Sequence, residues 1–374
     1  MRLFRLKHKR LEYIDFLRGI AILLVILSHV SLYIKDIYPI LFYLFFSGQF
    51  GVQLFFLITG LLFSIKYYEG NFDIKSFYIK RLFRIIPLYY IGMLVWIIYI
   101  FFFDNKINLD FIYIVQQMLF LNSLDRNNFS PAILPGGWSI STEMIFYLLF
   151  PLIIFFFKKN MYFLCISIIL MSLIIFLTSI FFLQPILLKY KFISHVAVND
   201  SFSYLYCLIL NQINAFIIGM LTFALQKKII LKKVYFFLFI IFYLISVFFL
   251  NTKIKTGING YFSVMFSSVA FSVLIILIHK KNYESYLKKA IIKIGIVSYS
   301  IFVFHSLFII FLSNYTNKIS LFIIDNYFLS QSFVKTIEFL LVYLLTILFS
   351  YYISTITYKF IEIPGIKYGN RFLN

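Results

Sequence analysis

The chain has 374 residues, 62% hydrophobic and only 13% charged, with a mean hydropathy of +0.95. No soluble domain of this size is so apolar, which excludes a soluble fold and leaves no room for a large soluble appendage. The net charge of +20 would suit nucleic acid, but its placement along the chain, counted below, follows membrane topology, so no nucleic acid partner is expected.

Apolar runs of spanning length fall near 14–34, 44–65, 85–103, 138–157, 161–183, 204–225, 234–250, 260–279, 294–313 and 336–357. The predicted fold is therefore an all-α polytopic membrane protein, a bundle of about ten transmembrane helices. Span 1 is preceded by basic residues, as a signal peptide is. It carries Arg18 and His29 and has no small-residue cleavage site, so it is read as a retained span. Asp15, Arg18 and His29 lie on one helical stripe, with Arg18 and His29 about 16 Å apart along the axis. Ionisable groups are expensive in hydrocarbon and usually face a protein interior. A cationic foot with an imidazole deeper in suits an anionic carrier at one end and proton chemistry at the other. A lone histidine in an apolar helix is also an ordinary packing residue, and the other members of the stripe are what argue against that here.

Span 2 contains GVQLFFLITG, whose Gly51 and Gly60 allow close packing against span 1. In span 3, RLFRIIPLYY puts Arg81 and Arg84 on one face at the predicted inner end. There they either clamp phosphate or simply anchor the topology. The run 111–121 is too short to span and is read as re-entrant or interfacial. In span 4, GGWSISTEMIFYLLFP places Trp138 at an interface, with Glu143 five residues deeper and Ser139 and Ser141 beside it. Cys165 and Cys207 open successive antiparallel spans, so they fall at opposite faces, too far apart for a disulfide. Span 9 holds SYSIFVFH, ending in His305, and KFIEIPG with Glu362 closes span 10. His8, His195 and His279 fall in loops or at span ends. No metal site is expected. One membrane domain over 1–374, with a core of about 11–365, accounts for the whole sequence, and no second domain is expected after span 10.

With the N-terminus inside, 25 of the 34 Lys and Arg residues fall on the inner side and nine on the outer. That asymmetry predicts that both termini are cytoplasmic, with anionic membrane lipid as the bland partner of the charge.

An Arg, ten residues and a His in span 1, then GVQLFFLITG, RLFRIIPLYY, WSISTEMIFYLLFP, SYSIFVFH and a terminal IE-P follow one another in this order. The set resembles the acyltransferase-3 family of integral membrane acyltransferases, from about Leu11 to Gly365. The resemblance implies a ten-helix bundle in the bacterial inner membrane. It implies transfer of an acyl group, usually acetyl from acetyl-CoA, to a carbohydrate hydroxyl. O-antigen, capsule, exopolysaccharide and peptidoglycan are typical acceptors. Acetyl-CoA is a co-substrate, and no tightly bound cofactor is expected. Gln53 departs from the family's usual Asp in G-V-D-x-F-F. Longer members carry a periplasmic hydrolase-like domain.

The residue chemistry fits this resemblance. Acyl-CoA is polyanionic, so Arg18, Arg81 and Arg84 are expected to bind it, with Tyr89, Ser298 and Tyr299 from the same motifs. His29 is the expected general base. Glu143 is expected to orient its imidazole from a matching depth in the outer half of the bilayer, with Arg18 and Asp15 completing the catalytic stripe. Trp138, Ser139, Ser141 and His305 are assigned to the carbohydrate acceptor. Two other classes also place ionisable groups in spans: a carrier or flippase of lipid-linked sugars, and a polysaccharide polymerase. A flippase should show broken helices in matching halves, and none is visible. The polymerase reading leans on the outer stretch 104–137. Only the acyltransferase requires consumption of acyl-CoA.

Overall fold

The computed structural model describes residues 11–103, 111–124, 133–178, 181, 206–228, 233–251, 257–279, 285–327 and 329–373. It is 89% helical, with no strand among the described residues. Ten helical stretches among them are long and apolar enough to cross a membrane. The chain is thus an all-α, multi-pass membrane protein.

In order, the helices are α1 (Glu12–Tyr33), α2 (Pro39–Phe46), a 3-10 turn (Ser47–Phe50), α3 (Gly51–Tyr67), α4 (Ile74–Phe103) and α5 (Phe111–Met118). Then come α6 (Gly137–Lys159), α7 (Met161–Thr178), α8 (Ile209–Lys228), α9 (Val234–Asn251) and α10 (Gly257–Ile278). The last are α11 (Tyr286–Ile296), α12 (Ser298–Asn326), α13 (Gln331–Thr357), a π turn (Tyr358–Glu362) and α14 (Ile363–Arg371). Below, the near face is the one at which α1 begins, and the far face is the opposite one.

α1 lies at the centre, packed by α2 and α3 on one side and by α11, α12 and α13 on the other. Glycines let backbones touch there. A Cβ on Gly295 would run into the carbonyl oxygen of Asp15, so α11 lies directly on the start of α1. The two glycines of the GVQLFFLITG stretch pack in the same way, Gly51 against the Ala21 carbonyl and Gly60 against that of Phe216.

Two boundaries differ from the hydropathy reading in ways that move the site. The third span starts at Ile74 rather than 85, because Asp73 caps it. Its carboxylate oxygens accept from the backbone N–H of Lys75 (3.2 Å) and Ser76 (3.1 Å). Arg81 and Arg84 are therefore two to three turns inside α4, about 10 and 15 Å from its start. The ninth span is divided. α11 is capped by Ser285, which accepts from Lys288 N–H, and α12 begins anew after a break at Val297. The 111–121 run forms α5, an eight-residue helix, and a turn. α5 and the turns after it reach the middle of α4, where the Tyr89 and Tyr90 hydroxyls donate to the Gln117 and Met118 carbonyls (3.0 and 3.1 Å). In the non-helical turn at Phe120–Ser123, Phe120, Asn122 and Ser123 are buried while Leu121 is exposed, and Ser141 of α6 bonds the Phe120 carbonyl and Ser123, a protein-packed setting in which irregular backbone is tolerated at membrane depth.

The seventh span, α9, is the shortest predicted run, and its helix matches that run closely. The fifth span's predicted end at 183, the loop charges at 106, 126, 189, 191, 253 and 255, and His8 and His195 lie outside the described residues. Cys165 and Cys207 are both free and buried.

Candidate active site

An open cavity of about 790 Å³, including its mouth, lies among α1, α3, α4, α6 and α12. Its lining carries three guanidiniums, Arg18, Arg81 and Arg84, and one carboxylate, Glu143. Arg18 is within electrostatic reach of the other three. Asp15 stands behind Arg18, 3.6 Å away and buried. Glu362, buried in the π turn, stands within electrostatic reach of Arg84 and Arg18 and accepts from the Ser300 hydroxyl. The backing carboxylates hold the guanidiniums in a buried setting, while the cavity itself faces mostly positive charge. The Arg81 guanidinium stacks 4.8 Å over the Phe63 ring, and its Nε–H is buried without a partner. A fixed cationic plane with a spare donor suits a phosphate or carboxylate.

Glu143 is held on the cavity wall by the Thr59 hydroxyl (3.0 Å) and the Tyr147 hydroxyl (2.5 Å). Its hydrogen bonds go to these two hydroxyls, and His29 bonds elsewhere, so the structure does not bring the expected Glu143–His29 pair together. The reason is where α6 begins. Gly136, just before α6, lies against the Phe302 ring at the level of the histidines, so α6 starts inside the bundle. Glu143 is a further six residues, about 9 Å, toward the near face. The two residues thus do not share a depth.

His29 pairs instead with His305. His29 Nδ1 and His305 Nε2 are 2.6 Å apart, with the rings stacked at 4.9 Å. His305 Nδ1 faces the carbonyl oxygens of Phe302 (2.8 Å) and Ile301 (3.1 Å). Carbonyl oxygens only accept, so in the neutral pair Nδ1 of His305 carries the proton and its Nε2 is an acceptor. His29 Nδ1–H must then donate to it, which leaves Nε2 of His29 with a free lone pair. His305 is fully buried and His29 is half-buried, so the free nitrogen belongs to the accessible ring. This is the arrangement of a base whose tautomer is set by a second group.

The other expected residues divide into those on the cavity and those off it. Ser139, Ser298 and Tyr299 line it. The Tyr299 hydroxyl donates to the Ile85 carbonyl (2.9 Å), and that of Ser139 to Gly136 (2.9 Å). Tyr89 is spent on Gln117. Ser141 is turned away, bonding the Phe120 carbonyl and the Ser123 hydroxyl (2.8 Å). Trp138 packs edge-on against Phe56 and Tyr206. Gln53 sits in a neutral clasp, donating to Gln212 (2.8 Å) and accepting from Tyr206 (3.2 Å). Thr59, Tyr147 and Phe302 are site residues that the sequence reading passed over. Tyr147 was findable, since Glu143 and Tyr147 are four apart on one helical face. No signal marks Thr59. Among the described residues, no cluster of potential metal ligands occurs.

The molecule is thus a membrane helix bundle with a basic cavity, one lining residue of which, Phe302, touches a tautomer-locked histidine pair. A family model described as an acyltransferase domain, acyltransferase 3, matches residues 11–358, and the chain belongs to that family. It is 28% identical, over 95% of its length, to the O-acetyltransferase OatA of Staphylococcus aureus strain NCTC 8325, covering 57% of that protein. It is also 31% identical to the peptidoglycan O-acetyltransferase OatA of Listeria monocytogenes over 41% of this chain and 26% of the relative. The chain thus spans little more than half the length of the Staphylococcus relative. No solved structure matches it.

Proposed function

We propose that this protein moves an acyl group, acetyl first among them, from acyl-CoA to a hydroxyl of a cell-envelope carbohydrate. The name of the Listeria relative makes peptidoglycan the first acceptor to try. The observation that carries the reading is the histidine pair, whose hydrogen bonding leaves Nε2 of His29 with a free lone pair and whose His305 ring lies 5.8 Å from that of Phe302, a lining residue of the arginine cavity. The acceptor O–H gives its proton to Nε2 of His29 as the oxygen attacks the thioester carbonyl. The new C–O bond forms and the C–S bond breaks. CoA leaves as thiolate and takes up the proton that His29 holds, so the imidazole returns to its starting state. His305 keeps the ring in the right tautomer and shares the transient charge. Arg18, Arg81 and Arg84 are the groups that bind the donor's phosphates, backed by Asp15 and Glu362. Glu143, fixed by Thr59 and Tyr147, shapes the donor side rather than the base.

The charge asymmetry of 25 against nine makes the near face cytoplasmic, in the bacterial inner membrane, so the donor cavity lies on the side where acyl-CoA is found. The test is direct. Membranes containing the full chain should release CoA from acetyl-CoA and place acetyl on envelope glycan. Release of no CoA above that of membranes lacking the protein would overturn the reading and return the carrier and polymerase classes to consideration.

A further inference from the structure

The cavity is elongated and its two ends differ. Along α6 its lining runs from Tyr147 to Ser139, about 12 Å, and along α3 from Phe63 to Val52, about 16 Å. Arg81 lies over Phe63 at the first end, where Tyr147 also meets Phe63. At the other end Val52, Phe55, Phe56, Ile140 and Phe302 close around Ser139, and no charge is present among them. A ligand with an anionic body and a short apolar tip has one sensible orientation here, tip toward Phe302.

Phe302 also touches the histidine pair. Its ring centroid is 5.8 Å from that of His305, and its carbonyl, with that of Ile301, fixes the His305 tautomer. From behind, the ring is backed by Gly136. That residue has φ +78, and a Cβ there would come within 2.8 Å of the ring. The ring is 7% exposed, clamped between a backbone that leaves it no slack and the apolar end of the cavity.

We propose that Phe302 is the end wall of the donor cavity and sets the length of the acyl group the protein accepts. The inference rests on the acyl-CoA reading above. With the phosphates held at the arginines, the acyl carbons are the part of the donor that reaches the apolar end. A two-carbon acyl group stops short of the ring, and a longer one meets it.

The experiment compares acetyl-CoA with butyryl-CoA in membranes containing the full chain, reading CoA release above that of His29→Gln membranes. One methylene in an apolar pocket is worth roughly 10–200-fold in discrimination. Phe302→Ala should therefore raise the butyryl-to-acetyl rate ratio by about tenfold or more, and Phe302→Leu should raise it less. Should the alanine variant fail to accumulate, the leucine variant decides. A wild type that uses acetyl-CoA, with an unchanged ratio in a well-expressed Phe302→Leu protein, removes Phe302 as the wall and leaves the acyltransferase reading standing. A wild type that releases CoA from neither donor removes both.

Discussion

The arginine cavity and the polar seam that joins α3, α7, α8 and α10 are both polar regions inside an apolar bundle, yet they are built differently. In the seam the groups are neutral and answer one another. Gln53, Gln212 and Tyr206 form a closed set, Ser172 bonds Asn214 (2.9 Å) and Tyr261 (3.0 Å), and Thr222 meets Ser272 (2.7 Å). In the cavity the groups are charged, they face open space, and the Arg81 Nε–H has no partner. Burial and polarity alone do not separate a clasp from a site. What separates them is charge: a neutral atom of the seam such as Asn211 Oδ1 can also lack a partner, but of the two regions it is the cavity that turns charge toward a space where something else can bind.

That contrast predicts which substitutions stop the chemistry and which only loosen the bundle. The largest effect belongs to His29→Gln, which keeps a hydrogen-bonding group but cannot cycle a proton. Acyl transfer should fall by roughly 10²–10⁴-fold at unchanged protein level, read as acetyl placed on envelope glycan. Near-normal transfer by this variant would strip His29 of its role. Next comes Arg81→Ala. Losing a charge-assisted hydrogen bond costs roughly 1.5–3 kcal/mol, so the acyl-CoA concentration for half-maximal rate should rise by about 10–150-fold. A titration showing no such rise would reduce Arg81 to an anchor and blur the distinction between the two regions.

Smaller effects are expected of residues spent on the fold. Ser141→Ala removes the bonds to the Phe120 carbonyl and Ser123, a loss of roughly 0.5–1.5 kcal/mol of stability. It should lower the thermal midpoint in detergent and leave the acyl-CoA dependence alone, whereas a changed acceptor dependence would restore Ser141 to the acceptor side. Thr222→Val in the seam should cost least, about 0.6 kcal/mol by the average for interhelical hydrogen bonds in membranes. A kinetic defect larger than its stability loss would mean that the seam takes part in function.

Much of this was visible in the chain itself, because hydropathy and charge act locally. The ten spans, the stripe of Asp15, Arg18 and His29 and the arginine pair can all be found by spacing. The start of α4 was hidden because Lys75, Lys80, Arg81 and Arg84 lower the hydropathy of a segment that is nonetheless helical. Asp73 caps it, and α14 covers it where Gly365 meets the Phe83 carbonyl. The partner of His29 was hidden for a different reason. Counting depth from the end of span 4 assumes that the span starts at the membrane surface, and the turn at Phe120–Ser123 and the start of α6 beside Phe302 break that assumption. His305 is 276 residues from His29, a pairing that only the packing of α12 on α1 brings about.

The glycines also divide the cavity wall into a stiff part and a compliant part. α3 and α8 are interlocked backbone to backbone, Gly60 on the Phe216 carbonyl and Gly219 on that of Leu57, and α1 is joined in the same way to α11. Backbone contacts of this kind have no side chain to rotate out of the way. Within α6, from Trp138 to Lys159, there is no glycine, so that helix is held by side chains, which can change rotamer. On the acyl-CoA reading proposed above, entry of a donor as bulky as a nucleotide thioester would displace α6 before α1 or α3. Glu143 and Tyr147 travel with α6, while Arg18 and His29 stay with α1. Filling the cavity would then change the spacing between the carboxylate and Arg18.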